Sequence, residues 1–208
     1  MKKSLCFSLI TALALCLLQT AHAQGNREAN SLARRGTDAA KNQEWDEAIE
    51  DLRKATGLDR KYAPSLAVAL QGRATAYAAA QRFQEAAADL DEAIKVNPRN
   101  ASAYEGRASV AIKMNDFDKA AAMYSEAIKL NPHELRYYLY RSYVYELKGD
   151  LKNSMADTEK VLKLDKGNAE ALSRKARLET RLKLAAEANP PPPAPHPPQP
   201  VPAPTKHP

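Results

Sequence analysis

The chain has 208 residues, 44% hydrophobic and 27% charged, with a formal net charge of +6. That composition can bury a core, and the basic excess is too slight to point to nucleic acid. Both cysteines, Cys6 and Cys16, fall within the first 23 residues, so whatever folds beyond them is held by packing and not by disulfides.

Residues 1–23 read as an export signal. Lys2 and Lys3 precede an apolar run from Leu5 to Leu18, and Ala21-His22-Ala23 supplies a small-residue cleavage motif before Gln24. The run falls short of the roughly 20 residues of a membrane helix. Lipoprotein processing at Cys16 competes with simple cleavage, but Leu15 stands where a small residue is expected. Loss of Lys2 and Lys3 would leave 29 basic against 25 acidic side chains. The signal predicts an exported protein, periplasmic or secreted, of a Gram-negative bacterium.

After a short segment, 24–28, the sequence repeats with a fixed period. Small residues Ala48, Ala86, Ala120 and Ser154 are spaced by 38, 34 and 34, which divides the chain into units 29–62, 67–100, 101–134 and 135–168. Counting within a unit, slot four holds Leu32, Leu70, Tyr104 and Tyr138. Slot eight holds Gly36, Ala74, Ala108 and Ser142. Slot seventeen holds Trp45, Phe83, Phe117 and Leu151, slot twenty-four Leu52, Leu90, Tyr124 and Thr158, and slot twenty-seven Ala55, Ala93, Ala127 and Val161. The spacing predicts two amphipathic helices per unit, with small residues where their backbones approach. Asn115 and Gly149 suit a left-handed turn between them. Pro98 and Pro132 end second helices, and Asn100 and Asn168 are placed as caps. Four additional residues, Ala63-Pro64-Ser65-Leu66, add about one helical turn and predict a longer helix.

These slots resemble the tetratricopeptide repeat family over 29–168. The two middle units match most fully, whereas Thr158, Lys166 and Arg60 depart from the family's usual residues. The resemblance implies an all-α, right-handed solenoid of four helix pairs, and residues 169–188 read as a capping helix. In that helix Ala171, Leu172, Ala176, Leu178 and Leu182 form an apolar arc, with Arg174, Arg177 and Arg181 opposite. Residues 189–208 carry eleven prolines in the last nineteen positions, which predicts an extended, solvated rod, read as a spacer.

Catalytic chemistry finds no residues to carry it. His133, His196 and His207 lack metal-ligand spacing to one another, and no phosphate loop or nucleophile elbow is present. Neither a cofactor nor a metal is expected. Glu50, Asp51, Asp89 and Asp91 read as a solvated face of second helices. Every unit carries arginine at slot seven, Arg35, Arg73, Arg107 and Arg141, and three carry aspartate at slot twenty-three, Asp51, Asp89 and Asp157. An ion pair within each unit is the favoured reading, and a guanidinium column for an acidic partner is the other. On the pairing reading, Met123→Asp should stabilise the third unit.

The resemblance implies that ligands lie along the first helices. There the slots matching the family's carboxylate clamp hold Ala33, Thr37, Gly72, Ser102 and Gly106, which excludes that mode of chaperone-tail binding. The candidate partner-binding residues are Glu105 and Ser109 in the third unit and Arg136, Leu139, Tyr143 and Leu147 in the fourth. Their apolar and aromatic groups would anchor a peptide, unless Leu139, Tyr143 and Leu147 pack on the C-terminal helix. The expected function is a non-catalytic scaffold binding an extended or helical segment of a partner protein. The alternative is a self-assembling spacer.

Overall fold

The computed structural model describes residues 24–188, so the expected export signal and proline-rich tail lie outside the described residues. Helix α1 occupies 24–41, followed by α2 Trp45–Leu58, a 3-10 turn Arg60–Tyr62 and α3 Ala63–Ala79. Then come α4 Phe83–Val96, α5 Ala101–Lys113, α6 Phe117–Leu130, α7 Leu135–Leu147, α8 Leu151–Leu164 and α9 Ala169–Ala188. No strand occurs among the described residues. From α2 onward each helix packs on its successor, and α3 also touches α5, so the chain is an all-α helical-repeat solenoid.

The small residues set the spacing of the helices. Ala48, Ala86, Ala120 and Ser154 are fully buried, as are Ala55, Ala93, Ala127 and Val161 about two turns further along the same face of those helices. Opposite Ala48 stands Gly36, where an added Cβ would lie 2.8 Å from Leu52 Cγ and 2.9 Å from the Ala48 carbonyl oxygen. Only the smallest side chains permit that approach. The turns between paired helices each pass through the left-handed region, at Gln43, Gln81, Asn115 and Gly149, with φ between 59° and 75°. The additional four residues extend α3, which has 17 residues against 13 in α5 and in α7.

Where the fourth unit departs from the repeat, the core changes character. Ser142, Ser154 and Thr158 are fully buried between α7 and α8. Ser142 Oγ lies 3.0 Å from both Ser154 Oγ and Thr158 Oγ1, and Thr158 Oγ1 donates to the Ser154 carbonyl at 2.8 Å. Hydroxyls that satisfy one another replace the alkyl and aromatic packing of the other units.

Two local expectations are corrected. Asn100 precedes α5 but its side chain makes no capping bond, whereas Asn168 Oδ1 accepts from the Ala171 amide at 3.0 Å. Asp116 and Asp150 cap α6 and α8 through the amides of Lys119 and Asn153, each at 3.1 Å. Helix α9 is turned from its expected orientation: Ala171, Arg174 and Leu178 are its buried residues, and Leu172 is half exposed.

Candidate functional site

The arginine column is occupied by the fold. Arg35, Arg73 and Arg141 each grip their own unit's aspartate through two nitrogens: Asp51 at 2.5 and 2.9 Å, Asp89 at 2.7 and 2.8 Å, Asp157 at 2.7 and 2.8 Å. Asp51, Asp89 and Asp157 are buried, not part of a solvated face. Two of the arginines also reach back one helix, Arg73 to Asp46 at 2.6 Å and Arg141 to Ser125 at 2.8 Å. Hydrogen bonds to the carboxylates push the pKa of the Arg73 and Arg141 guanidiniums further up, so both stay protonated. Arg107 has Met123 in place of an aspartate at slot twenty-three of its own unit, and bonds to Asp91 of the preceding unit at 2.8 Å.

The first helices α1, α3, α5 and α7 carry the candidate binding slots. Toward the N-terminal end their polar groups are turned onto their own helices: Thr37 Oγ1 donates to the Ala33 carbonyl, Gln71 Nε2 to Ala67 and Thr75 Oγ1 to Gln71. A cavity of about 250 Å³ opens between α1 and α3, with Pro64, Ser65 and Val68 on its wall, and one of about 240 Å³ between α3 and α5, bordered by Ser102, Gly106 and Ser109. Val68 is 61% exposed, so apolar surface on these helices is not confined to the fourth unit. Ser109 is exposed at the edge of the second cavity.

Glu105 and Arg136 are joined across α5 and α7 at 3.3 Å, and Arg136 also meets Glu134 at 3.6 Å. Burial raises the Glu105 carboxyl pKa, with Arg136 opposing that shift and Glu134 adding to it. Further along α7 the three apolar candidates separate. Leu139 is half-buried in the cluster with Tyr138, Val161 and Ala171, and its carbonyl accepts from Arg174 Nη1 at 2.5 Å. Tyr143 and Leu147 remain exposed, at 45% and 41%. Packing on the C-terminal helix thus accounts for Leu139 and leaves Tyr143 and Leu147 open. Nearby, exposed Tyr140 rests on Tyr124 with ring centroids 5.7 Å apart. Burial of Tyr124 pushes its hydroxyl pKa up.

The sequence reading missed how α9 meets this face. Arg174, Arg177 and Arg181 all turn toward Glu146 of α7, at 3.3, 3.8 and 3.5 Å. Arg174 also pairs with Glu170 at 2.9 Å. The signal was present as a continuation of the repeat: Arg177 and Arg181 fall at slots nine and thirteen of a fifth unit begun at Ala169. Among the described residues no cluster of histidine, cysteine and acidic side chains could hold a metal ion, and no helix is long and apolar enough to cross a membrane.

An array of helix pairs with an open row of first helices defines a class of repeat solenoid that works as an interaction scaffold. Residues 71–113 and 106–169 match the tetratricopeptide repeat family model. The chain is a tetratricopeptide repeat protein, of a family whose domains generally mediate protein–protein interaction. No curated protein matches it. Among solved structures it is similar to the first such domain of human RPAP3, at 22% identity, 60% of this chain and 98% of that one, with a TM-score of 0.54. YrrB, described as a repeat protein with an unusual peptide-binding site, is 18% identical over 82% of this chain and 86% of that one, with a TM-score of 0.58. A tetratricopeptide repeat protein of Parabacteroides merdae is 20% identical over 78% and 63%, with a TM-score of 0.59. At these identities the likeness is one of fold.

Proposed function

We propose that this chain is a non-catalytic scaffold of the bacterial cell envelope that binds an extended or helical segment of a partner protein along its first helices. The observation that carries this reading is the pair Tyr143 and Leu147, large apolar groups left exposed on α7 beside half-buried Leu139. A partner side chain set against them would remove apolar surface from water on both sides, the usual centre of a binding hot spot. The peptide-binding site named for YrrB supports the same use of the fold. Export rests on residues 1–23.

A photo-reactive residue introduced at position 143 should capture a partner in the native cell. Tyr143→Ala combined with Leu147→Ala should abolish capture by a probe at the neighbouring position 140 while leaving the helical circular dichroism unchanged. Equal capture by the double variant overturns the assignment. Fractionation tests the location: the protein should appear in the envelope fraction at a mass lacking residues 1–23, and full-length protein in the cytosol contradicts it.

Self-assembly is the second reading, favoured by Leu172 and Leu184 of α9, which are 49% and 60% exposed. Light scattering of the full chain distinguishes the two, because a mass that stays monomeric across concentrations removes the second.

A further inference from the structure

We propose that the end of the binding face between α7 and α9 is a subsite for an acidic segment, one that sets a bulky apolar side chain beside two carboxylate side chains about a helical turn apart. It rests on the scaffold reading above and names the chemistry of the partner. Arg177 and Arg181, one turn apart on α9, have side chains 55% and 47% exposed, and their contacts with Glu146 are long, at 3.8 and 3.5 Å. Glu146 itself is only 13% exposed and already faces Arg174 at 3.3 Å. Glu146 Oε1 and Arg174 Nε are both buried, and neither completes a hydrogen bond. One carboxylate is therefore stretched across three guanidiniums, while Glu170 serves Arg174 alone.

Charge elsewhere along these helices is balanced differently. Arg136, at the opposite end of α7, meets both Glu105 and Glu134, and Arg35, Arg73 and Arg141 each hold an aspartate in bidentate geometry. Loosely held positive charge thus gathers where Tyr143 and Leu147 are exposed. Half-exposed guanidiniums keep their planar forks available for incoming carboxylates. Tyr143 and Leu147, a helical turn apart on α7, supply the apolar half of the subsite. The chain's own residues 189–208 contain no aspartate or glutamate, so the proline-rich tail does not match this charge pattern.

The test is fluorescence anisotropy of the full chain with a labelled, acetylated and amidated peptide. The peptide carries one phenylalanine and two glutamates four residues apart. Binding should weaken about tenfold when both glutamates become glutamine, and equally with the Arg177→Gln and Arg181→Gln double variant. The Arg177→Lys and Arg181→Lys double variant should retain most of the affinity, and thermal melting of both variants guards against misfolding. Equal binding of the glutamate and glutamine peptides, no loss in the glutamine variant, or no binding at all overturns the acidic subsite. In those cases the cellular capture at Tyr143 still stands or falls by itself. A free-carboxylate peptide binding about tenfold better than its amide overturns the side-chain source in favour of a chain terminus. Displacement of the probe by a synthetic peptide of residues 189–208 makes the tail the occupant and overturns the proposal as well.

Discussion

Arg107 Nε donates to Asp91 Oδ1 at 2.8 Å, so the third unit's arginine pairs back to α4 and not forward to α6. Its side chain is 11% exposed, while Asp91 is 51% exposed. This reverses the expectation for position 123. Met123 is half-buried against the core of α5 and α6, and an aspartate there would forfeit apolar packing to compete for an arginine already bound. Met123→Asp should therefore destabilise by about 1 kcal/mol. In an Asp91→Ala background the same change should cost less, because Arg107 is then free to turn. A double-mutant cycle followed by urea denaturation checks this, and additive effects would refute the shared arginine.

The three bidentate pairs predict a graded series. Removing Asp51 leaves Arg35, whose side chain is 63% exposed and can return to water. Removing Asp157 leaves Arg141, only 19% exposed, with a serine for company. Asp51→Ala should cost about 1 kcal/mol and Asp157→Ala about 2–3 kcal/mol, the difference reflecting the charge left buried. Arg35→Gln should be worse than Asp51→Ala, since it strands a buried carboxylate. Denaturation midpoints at one salt concentration read the order directly.

The buried hydroxyls of the fourth unit predict non-additivity. Thr158→Val keeps the volume but removes Oγ1, leaving Ser142 and Ser154 one partner short, and should cost about 1–2 kcal/mol. Adding Ser142→Ala should cost little more, because a donor and an acceptor are then removed together. A double variant costing the sum of the singles would mean that the hydroxyls act independently.

The repeat was legible wherever one slot demands one size of side chain. Ala48, Ala86 and Ala120 are small because a neighbouring backbone leaves no room, and that constraint is written in the residue itself. What escaped was whatever depends on which of two partners a long side chain chooses. Arg107 could reach slots on either neighbouring helix, and the sequence ranks neither. Arg174 is expected opposite the apolar arc of α9, yet it is buried and its head meets Glu146, Glu170 and the Leu139 carbonyl. That recruitment turns α9 and leaves Leu172 half exposed. The left-handed turns at Gln43 and Gln81 were hidden for another reason: glutamine is not a residue that marks this conformation, so only Asn115 and Gly149 signalled it. Among the candidate residues, for which exposure and packing on the C-terminal helix were both open, Tyr143 and Leu147 are exposed, whereas Leu139 is drawn into a cluster supplied by the next helix.

Asp150 gives the fold a measurable response to acid. Its carboxylate accepts from the Asn153 amide at the start of α8, and that bond, followed by the Asn153 side chain, lowers its pKa below the ordinary 3.8. A depressed folded-state pKa means stabilisation present above the unfolded value and lost as pH falls through the folded one. Asp150→Ala should cost about 1 kcal/mol at neutral pH, the usual worth of a helix cap. The penalty should shrink in acid, where the wild-type carboxyl is protonated and its advantage gone. Asp150→Asn keeps a capping oxygen without the titration, so its stability relative to wild type should rise as pH is lowered. Urea denaturation of the three proteins at neutral pH and near pH 3 measures the crossover. A constant gap between Asp150→Asn and wild type across that range would show that the carboxylate's charge contributes nothing to the cap.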